Sequence, residues 1–377
     1  MRRKRASPRP APLPETRVAV LAAGGTGGHL FPAQALAQAL TARGWRIVLA
    51  TDDRVQSLSG DFPAERLIPL SAATARPGDP LGMARAGVAI LKGVMQARAA
   101  LAEIKPAIVV GFGGYPSLPA LIAAITSGRR TMIHEQNAVM GRANRLLASQ
   151  VTAVACAFPT LQKAPAAVQA KAVVVGNPVR PEVRAIYDQA YVAPDPAGEV
   201  RLLATGGSQG ARVLSDLVPR AVSQLPDILR KRLKVQQQVR AEQLDTARAT
   251  YAAAGVEAEI APFFSGMAQR LAACHLTIGR AGAGTVCEIA VAGRPAILVP
   301  LKIALDDDQG QNARLLAEAG GAEVLREDAL TAESLSALLR SLIEDPARLA
   351  RMAAAAKAVA KPAAADRLAD LVETTAG

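Results

Sequence analysis

Aromatic residues are scarce in this chain of 377 residues. Phe, Trp and Tyr together make up 3% of it, whereas hydrophobic residues as a class make up 50%. Strands draw on aromatic and β-branched residues, so an apolar set dominated by alanine and leucine favours a helix-rich α/β protein. The high apolar fraction also supports a large core and excludes disorder as the general state of the chain.

Cysteine and histidine are scarce too, with three of each. Cys156, Cys274 and Cys287 show no C-x-x-C spacing, which indicates a reducing compartment and no disulfide framework. Because the histidines and cysteines are not clustered, we expect no required metal ion, and we expect no other cofactor.

Long apolar runs are also missing. No stretch of about 18 apolar residues is free of a charge or a helix breaker, so we expect no membrane-spanning helix. The basic, proline-rich residues 1–16 lack the apolar segment of a secretory signal peptide. These absences predict a cytoplasmic protein, or one bound to a membrane from its cytoplasmic side.

Acidic residues are outnumbered, 32 against 44 basic residues, which gives a formal charge of +12. Such a charge suits nucleic acid, anionic lipid or a phosphorylated substrate. A nucleic-acid site would combine clustered basic residues with stacking aromatics. The one dense basic cluster, residues 1–5, lies in a proline-rich tail without aromatics, so we expect no nucleic-acid partner.

The chain contains one design twice: a buried strand, a glycine-rich turn and a helix. "VAVLAAGGTGGHLFPAQALAQAL" (18–40) shows it first, and "VRLLATGGSQGARVLSDLV" (200–218) repeats it. Each half also has a later glycine-rich loop, in "GFGGYPS" and "RAGAGT". Strands that alternate with helices predict parallel sheets. We therefore predict two doubly wound domains facing a cleft, with ligands at the carboxyl ends of the strands.

Composition also sets the expected domain limits. Prolines at 181, 194 and 196 mark a linker, and the Ala- and Arg-rich end of the chain predicts closing helices. The expected segments are a disordered tail at 1–16, a first domain at 17–180, the linker at 181–199, a second domain at 200–345 and closing helices at 346–377.

Glycine-rich turns that open helices suit phosphate groups. A helix N-terminus offers unpaired N–H groups and a partial positive charge, and glycine lets an anion approach. Tight packing is the alternative role for a single loop, but four loops in two matched halves favour a ligand. Asp52 and Asp53 follow the second strand, where a dinucleotide enzyme keeps its ribose-binding acid. The glycines do not fit G-x-G-x-x-G or a P-loop, which counts against that oxidoreductase.

Histidines provide the candidate bases. A cationic imidazole is disfavoured at a helix N-terminus, so we expect a neutral His29 that can act as a general base. A capping or structural histidine is the alternative. His134 lies in the polar loop "HEQN" beside Glu135 and Asn137, whereas His275 is more typical of a structural residue.

Two acidic features remain open. Glu288 follows the loop "GAGT" and would accept hydrogen bonds from two ribose hydroxyls, or else be a solvated helix residue. Asp306, Asp307 and Asp308 contain the D-x-D spacing of a metal–diphosphate site, but a solvated acidic turn is the commoner reading of three consecutive acids.

Taken together, the motifs resemble the MurG family of UDP-N-acetylglucosamine transferases in peptidoglycan synthesis. Over roughly residues 17–370 the family's motifs come in order: "GGTGGHLFPA", "GFGGYPS", "HEQNAVMGRANR", "GNPVR", "GGSQGAR" and "RAGAGTVCEIAVAGRPAILVP". The resemblance implies a GT-B fold of two Rossmann-like domains. It also implies an inverting, metal-independent transfer of N-acetylglucosamine (GlcNAc) from UDP-GlcNAc to a lipid-linked muramoyl acceptor, lipid I, giving lipid II. The second domain would hold UDP and the first the acceptor.

The resemblance implies roles for individual residues. His29 would be the catalytic base, with Glu135 a weaker candidate. Ser208 would meet the diphosphate, Phe264 would lie where the chain passes the uracil, Glu288 would hold the ribose and Gln309 the sugar hydroxyls. Asp308 stands where the family has His or Gln, so its role stays open. The implied donor-site positions are Thr26, Gly27, Gly28, Asn137, Arg180, Ser208, Phe264, Ala283, Gly284, Thr285, Val286, Cys287, Glu288 and Gln309.

A lipid acceptor without a membrane-spanning helix implies a peripheral protein on the cytoplasmic face of the inner membrane. The implied partners are UDP-GlcNAc, lipid I, an anionic membrane surface and proteins of cell-wall synthesis. A helix expected over residues 81–104 would contact the membrane, or else be an ordinary buried helix. Its contact residues would be Leu81, Met83, Val88, Ile90 and Leu91, beside Arg85 and Lys92. A UDP-GlcNAc 2-epimerase and a non-catalytic sugar-nucleotide-binding protein are the alternative functions.

Overall fold

The computed structural model describes residues 17–24, 27–52, 62–73, 78–207, 210–302 and 306–377. Within these residues the chain forms two parallel sheets, each packed between helices. The predicted α/β fold class, with two doubly wound halves, is confirmed.

The first sheet has the strand order β3-β2-β1-β4-β5-β6-β7. Its strands are β1 (Val18–Ala22), β2 (Arg46–Thr51), β3 (Arg66–Pro69), β4 (Ile108–Gly111), β5 (Thr131–Glu135), β6 (Ala153–Cys156) and β7 (Ala172–Val174). The helices between these strands are α1 (Gly27–Ala42), α2 (Pro80–Ile104), α3 (Ser117–Thr126), α4 (Arg142–Leu147) and α5 (Ala166–Gln169), and α6 (Pro181–Ala185) follows β7 on the way to the second domain.

The second sheet has the order β10-β9-β8-β11-β12-β13. Its strands are β8 (Val200–Thr205), β9 (Leu233–Gln238), β10 (Glu257–Ala261), β11 (Leu276–Gly279), β12 (Ala296–Leu298) and β13 (Ala322–Val324). Helices α7 (Arg212–Ser223), α8 (Asp227–Arg230), α9 (Leu244–Ala253), α10 (Met267–Ala273), α11 (Ala283–Ala292), α12 (Asp308–Ala319), α13 (Ala332–Ile343), α14 (Pro346–Ala358) and α15 (Ala364–Ala376) complete the chain.

Both faces of the first sheet are buried, which explains its continuous apolar strands. Along β1, Val20 and Ala22 enter one apolar cluster, whereas Ala19 and Leu21 enter the cluster on the opposite face. Side chains alternate along a strand, so both faces favour apolar residues, and the polar His134 and Glu135 come at the carboxyl end of β5.

Strand order reverses between β1 and β4 in the first sheet and between β8 and β11 in the second. All four glycine-rich loops follow these four strands, so each pair meets at one reversal point. Reversal points are where open α/β sheets leave a crevice for ligands. The topology therefore places the repeated motif where the sequence predicts a site.

The long helix expected over 81–104 is confirmed as α2. Asp79 caps its N-terminus by accepting a hydrogen bond from the Gly82 N–H at 2.8 Å, and Pro80 stands at its first position. Proline suits that position because the first N–H groups of a helix have no partner within the helix. The helix ends at Ile104, and the next residue, Lys105, has a left-handed φ of 49°.

The last helix, α15, returns to the first domain. Leu368, Ala369 and Val372 enter the same apolar cluster as Leu21 of β1. On its exposed side, Arg43 of the first domain pairs with Asp370 at 2.7 Å, among other acids. The expected closing helices, residues 346–377, thus pack on different domains: α14 packs on α11, α12 and α13 of the second domain, and α15 packs on the first.

The chain consequently passes between the domains twice. One passage leads through residues 176–199, and α6 within it packs on α10 and α11 of the second domain. The other joins α14 to α15. The two passages touch, since a Cβ on Gly176 would come within 2.7 Å of the Lys361 Cβ. Gly176 also has a φ of +97°, so glycine is required there for two reasons.

We expect Leu368→Ala to lower the free energy of unfolding by about 2–5 kcal/mol, because it leaves a cavity beneath α15. Urea unfolding of the full chain, followed by circular dichroism, measures the loss. Leu146 is 69% exposed, so Leu146→Ala is the matched control, with an expected change within ~0.5 kcal/mol. Equal losses in the two variants would contradict the buried role of α15.

Candidate functional site

The candidate site lies between the carboxyl ends of the two sheets, where polar side chains of the two domains meet. Helix α1 and the loops after β4, β5 and β7 line it from the first domain. Helices α11 and α12 line it from the second. Three groups of contacts define its geometry: an imidazole seat, an asparagine pair and an arginine–glutamate pair.

His29 lies in the first turn of α1, with its ring against the turn of Gly113 and Gly114. A Cβ on Gly114 would come within 3.3 Å of the ring carbon Cδ2, and one on Gly113 within 3.5 Å of Cε1. Both glycines also have left-handed φ values, +82° and +71°. The loop "GFGG" therefore forms a seat for the ring, because a side chain at Gly114 would crowd it and the positive φ values favour glycine at both positions.

Gln136 holds the other side of the His29 ring. Its Oε1 lies 3.0 Å from His29 Nδ1, and its Nε2 donates to the His134 carbonyl at 2.9 Å. His134 is fully buried, and burial lowers the pKa of its imidazole to about 4. His134 is therefore neutral at physiological pH, and its buried ring supports Gln136 and does not reach a substrate.

Glu135 accepts four hydrogen bonds from its own loop. Oε1 accepts from the backbone N–H of Asn137 at 3.0 Å and from its side chain at 3.4 Å. Oε2 accepts from the Gly141 N–H at 2.9 Å and from Asn144 Nδ2 at 2.7 Å. A buried carboxylate bonded in this way shapes residues 135–144, and its oxygens are already committed.

Asn137 joins the two domains through Asn312 of α12. Asn312 Nδ2 donates to Asn137 Oδ1 at 3.0 Å, while Asn312 Oδ1 accepts from the Ala138 N–H at 2.8 Å. The same Nδ2 lies 3.2 Å from the Ala281 carbonyl, next to the loop that opens α11. Asn312 thus fixes the "HEQN" loop against the second domain.

Arg180 and Glu288 form a two-pronged ion pair across the site. Arg180 Nε and Nη2 donate to the two Glu288 oxygens at 2.7 Å and 2.8 Å. The guanidinium also lies 5.6 Å from the centre of the Phe31 ring on α1. Arg180 therefore contacts the helix that carries His29 and the helix that carries Glu288. The parallel fork is the strongest geometry for such a pair.

Helix α11 begins at the second glycine-rich loop, with Gly282 at its cap. A Cβ on Gly284 would meet nothing within 4 Å, so this turn is open to a ligand. Ala283 and Val286 have buried side chains, so they can offer a ligand only their backbone groups. The side chains of Thr285 and Glu288 are half-buried and remain accessible. Burial raises the pKa of the Cys287 thiol to about 12, so it stays protonated.

The remaining expected positions lie around these contacts. Phe264 is buried, and the Arg270 guanidinium lies 4.0 Å from the centre of the Phe264 ring. Only the backbone of Phe264 is therefore free to contact a uracil. Gln309, in the first turn of α12, accepts from the Leu301 N–H at 3.0 Å. Gly27 packs on Phe31, and Gly28 is exposed beside it. Thr26, Ser208 and Asp53 lie outside the described residues.

The triple-acid loop is not a simple solvated turn, because three cations of the first domain converge on Asp306. Lys163 lies 2.5 Å from one oxygen, and Arg145 and Arg142 lie 3.0 Å and 3.4 Å from the other. The Lys163 hydrogen bond is the main cause that lowers the pKa of Asp306. Sequence reasoning missed this role, since the partners stand more than 140 residues away. Within the described residues, no three His, Cys, Asp or Glu side chains form a group suited to a metal.

Comparisons with known proteins cover both domains. Residues 19–156 match the Glycosyltransferase family 28 N-terminal domain, and residues 201–368 match the family 28 C-terminal domain. A Phenylobacterium zucineum protein is 68% identical over 360 residues, which cover 96% of this chain and 99% of that one. It is named UDP-N-acetylglucosamine–N-acetylmuramyl-(pentapeptide) pyrophosphoryl-undecaprenol N-acetylglucosamine transferase. A Caulobacter vibrioides protein of the same name is 61% identical, with coverages of 96% and 99%.

Solved structures agree on the fold. The crystal structure of Acinetobacter baumannii MurG has a TM-score of 0.76 at 32% identity, covering 95% of this chain and 99% of that one. The calicheamicin glycosyltransferase has a TM-score of 0.63 at 18% identity, covering 96% and 98%, and so shares the fold alone. The GT-B arrangement expected from the sequence is confirmed.

We expect Asp306→Asn to lower the free energy of unfolding by about 0.5–1 kcal/mol at pH 7, because its ion pairs are partly exposed. Because the pKa of Asp306 is lowered in the folded protein, its ionised form stabilises the fold. The contribution is complete above the unfolded carboxyl pKa of about 3.9 and is lost as pH falls through the lower folded value. Urea unfolding at neutral and acid pH measures it.

Asp245→Asn is the control for this experiment, since Asp245 is fully exposed beside Arg248 and should show no change. A loss in Asp306→Asn that persists unchanged in acid, or that is absent at pH 7, would contradict the interdomain role of this carboxylate.

Proposed function

The chain belongs to glycosyltransferase family 28 and, within it, to the MurG family; from this premise we propose that it moves GlcNAc from UDP-GlcNAc to lipid I. The product is lipid II, with a β-1,4 bond to the muramoyl 4-hydroxyl. The observation that carries the proposal is the 68% identity over both domains to a transferase of that name. The acceptor domain would be the first and the donor domain the second.

His29 is the base in this proposal. Among the described residues its Nε2 has no hydrogen-bond partner, while Nδ1 faces Gln136. The acceptor hydroxyl gives its proton to Nε2 as its oxygen attacks the anomeric carbon opposite the diphosphate. The new C–O bond forms as the bond to the diphosphate oxygen breaks, so the configuration inverts and UDP leaves. Glu135 serves as a positioning group, because its oxygens already hold the loop.

The leaving UDP gains negative charge, which the start of α11 is suited to receive. The first N–H groups of a helix have no partner within the helix, and the open space at Gly284 lets a phosphate approach them. The loop after β8 can offer a further N–H group at Gly207, whereas the Gly206 N–H already donates to Gln238 Oε1 at 3.0 Å. A Cβ on Gly206 would clash with the Ala211 nitrogen, so that turn also depends on glycine.

Glu288 would receive the ribose hydroxyls of the donor. Arg180 holds the carboxylate in place through two hydrogen bonds and balances its charge. An ionised carboxylate accepts up to about four hydrogen bonds, so acceptor positions remain for the ribose. Gln309 would bind the sugar hydroxyls, and the Asn137–Asn312 pair would keep the two sides of the site in register.

We place the protein at the cytoplasmic face of the inner membrane through an apolar face of α2. Five apolar side chains of this helix are between 57% and 69% exposed: Leu81, Met83, Val88, Leu91 and Met95. Ile90 is less exposed, being half-buried. The helix is thus not the ordinary buried helix that was the alternative. Arg85 and Lys92 lie exposed beside this face and suit anionic lipid. No described helix has the length and apolar character needed to cross a bilayer.

The transferase proposal is tested with labelled UDP-GlcNAc and a lipid I analogue, with and without EDTA. We expect labelled lipid and UDP only when the acceptor is present, and an unchanged rate in EDTA. Epimerised sugar nucleotide without acceptor would support the epimerase instead, and donor binding without either product would support a binding protein.

We expect His29→Ala to lower turnover by about 10²–10⁴-fold, the usual contribution of a general base. UDP affinity should stay nearly unchanged, because His29 belongs to the first domain. Single-turnover kinetics and calorimetric UDP titration measure the two effects. Turnover within a few-fold of the parent would rule out His29 as the base.

We expect the triple variant Val88→Ser, Leu91→Ser and Met95→Ser to bind phosphatidylglycerol vesicles at least about 10-fold less tightly, since each change removes apolar area. Co-sedimentation measures the binding. Val192 and Ile228 are both 73% exposed elsewhere, so Val192→Ser with Ile228→Ser is the matched control. An equal loss in the control would refute a specific face.

A further inference from the structure

A line of hydrogen bonds runs from His29 into the buried interior of the first domain. His29 Nδ1 lies 3.0 Å from Gln136 Oε1, and Gln136 Nε2 lies 3.1 Å from His134 Nδ1. His134 Nε2 lies 3.0 Å from the Gly176 carbonyl oxygen. His29 belongs to α1, His134 and Gln136 lie at the end of β5, and Gly176 follows β7. The line therefore runs along the carboxyl ends of the strands.

The buried end of this line sets its direction. A carbonyl oxygen only accepts, so His134 Nε2 must carry a proton to bond Gly176. A neutral imidazole carries a single ring proton, so His134 Nδ1 must accept. Its partner is therefore the NH₂ group of Gln136, which also donates to the His134 carbonyl. With its NH₂ group turned inward, Gln136 can present only its oxygen to His29.

We propose that Gln136 is a positioning residue that holds His29 in the Nδ1–H tautomer, which leaves the Nε2 lone pair for the acceptor hydroxyl. The inference rests on the proposed role of His29 as the base and names the group that prepares it. An amide oxygen can only accept, so it requires a proton on His29 Nδ1. The seat of Gly113 and Gly114 fixes the ring plane, and Gln136 fixes the proton.

An amide has a different effect from the carboxylate that often supports a catalytic histidine. A carboxylate adds a full negative charge that strongly stabilises the imidazolium, whereas a neutral amide oxygen adds no charge and mainly orients the ring. The histidine behind it, His134, is kept neutral by burial, so the line holds no second charge. His29 thereby directs its Nε2 lone pair toward the cleft before the acceptor arrives.

The tautomer can be observed directly, because the chain has only three histidines. In ¹⁵N-histidine-labelled protein, protonated and unprotonated ring nitrogens have well-separated shifts, and His29→Ala assigns the His29 signals. We expect a protonated Nδ1 and an unprotonated Nε2 in the parent, and a mixture of tautomers in Gln136→Met. A protonated Nε2 in the parent, or an unchanged ratio in Gln136→Met, would overturn the proposal.

Kinetics separate positioning from a structural effect. We expect Gln136→Met to lower kcat by at least about 10-fold, within the 10²–10⁴-fold range of a base, with the KM for UDP-GlcNAc nearly unchanged. Gln136→Glu keeps an acceptor opposite Nδ1 and should restore part of kcat. The exposed Gln150→Met is the matched control and should match the parent.

The double variant His29→Ala with Gln136→Met decides between the two proposals. If Gln136 acts through His29, adding Gln136→Met to His29→Ala lowers the rate no further. Additive losses would overturn the positioning role while leaving His29 as the base. A His29→Ala variant that keeps parental turnover would instead refute the base itself, whatever the NMR spectrum shows.

Discussion

Burial of both faces of each parallel sheet is the constraint on which the rest of the structure depends. Strands such as β1 are apolar on both faces, so polar chemistry gathers at the carboxyl ends of the strands and in the loops that follow them. The strand order then decides which loops become neighbours. Because it reverses between β1 and β4 and between β8 and β11, the four glycine-rich loops open toward one cleft rather than lying apart.

Across that cleft, polar side chains of the two domains meet beside an apolar cluster to which both domains contribute. Asn312, Arg180 and Asp306 each contact the opposite side. Polar and charged pairs at a partly solvated boundary contribute little net stability but are specific in geometry. The polar pairs therefore set how the two domains align, while the shared apolar cluster holds them together.

Sequence patterns predict the repeated units well, because each depends on local periodicity and turn chemistry. The expected helix over 81–104 and the glycine loops at strand ends match the structure closely. Long-range pairing is where sequence reasoning falls short. The partners of Asp306 and the role of Asn312 have no local signature, and the return of α15 to the first domain reads locally as one more closing helix. Gln136 lies in the motif "HEQN" between residues with more obvious chemistry. Only its contact with the buried His134 shows what its amide does.

The double passage between the domains restricts how the molecule can move. A single connecting segment would let the halves twist and swing about many axes. Two segments that touch at Gly176 and Lys361 leave fewer of these axes free and resist twisting between the halves. Any opening of the cleft must then bend both segments together at their point of contact.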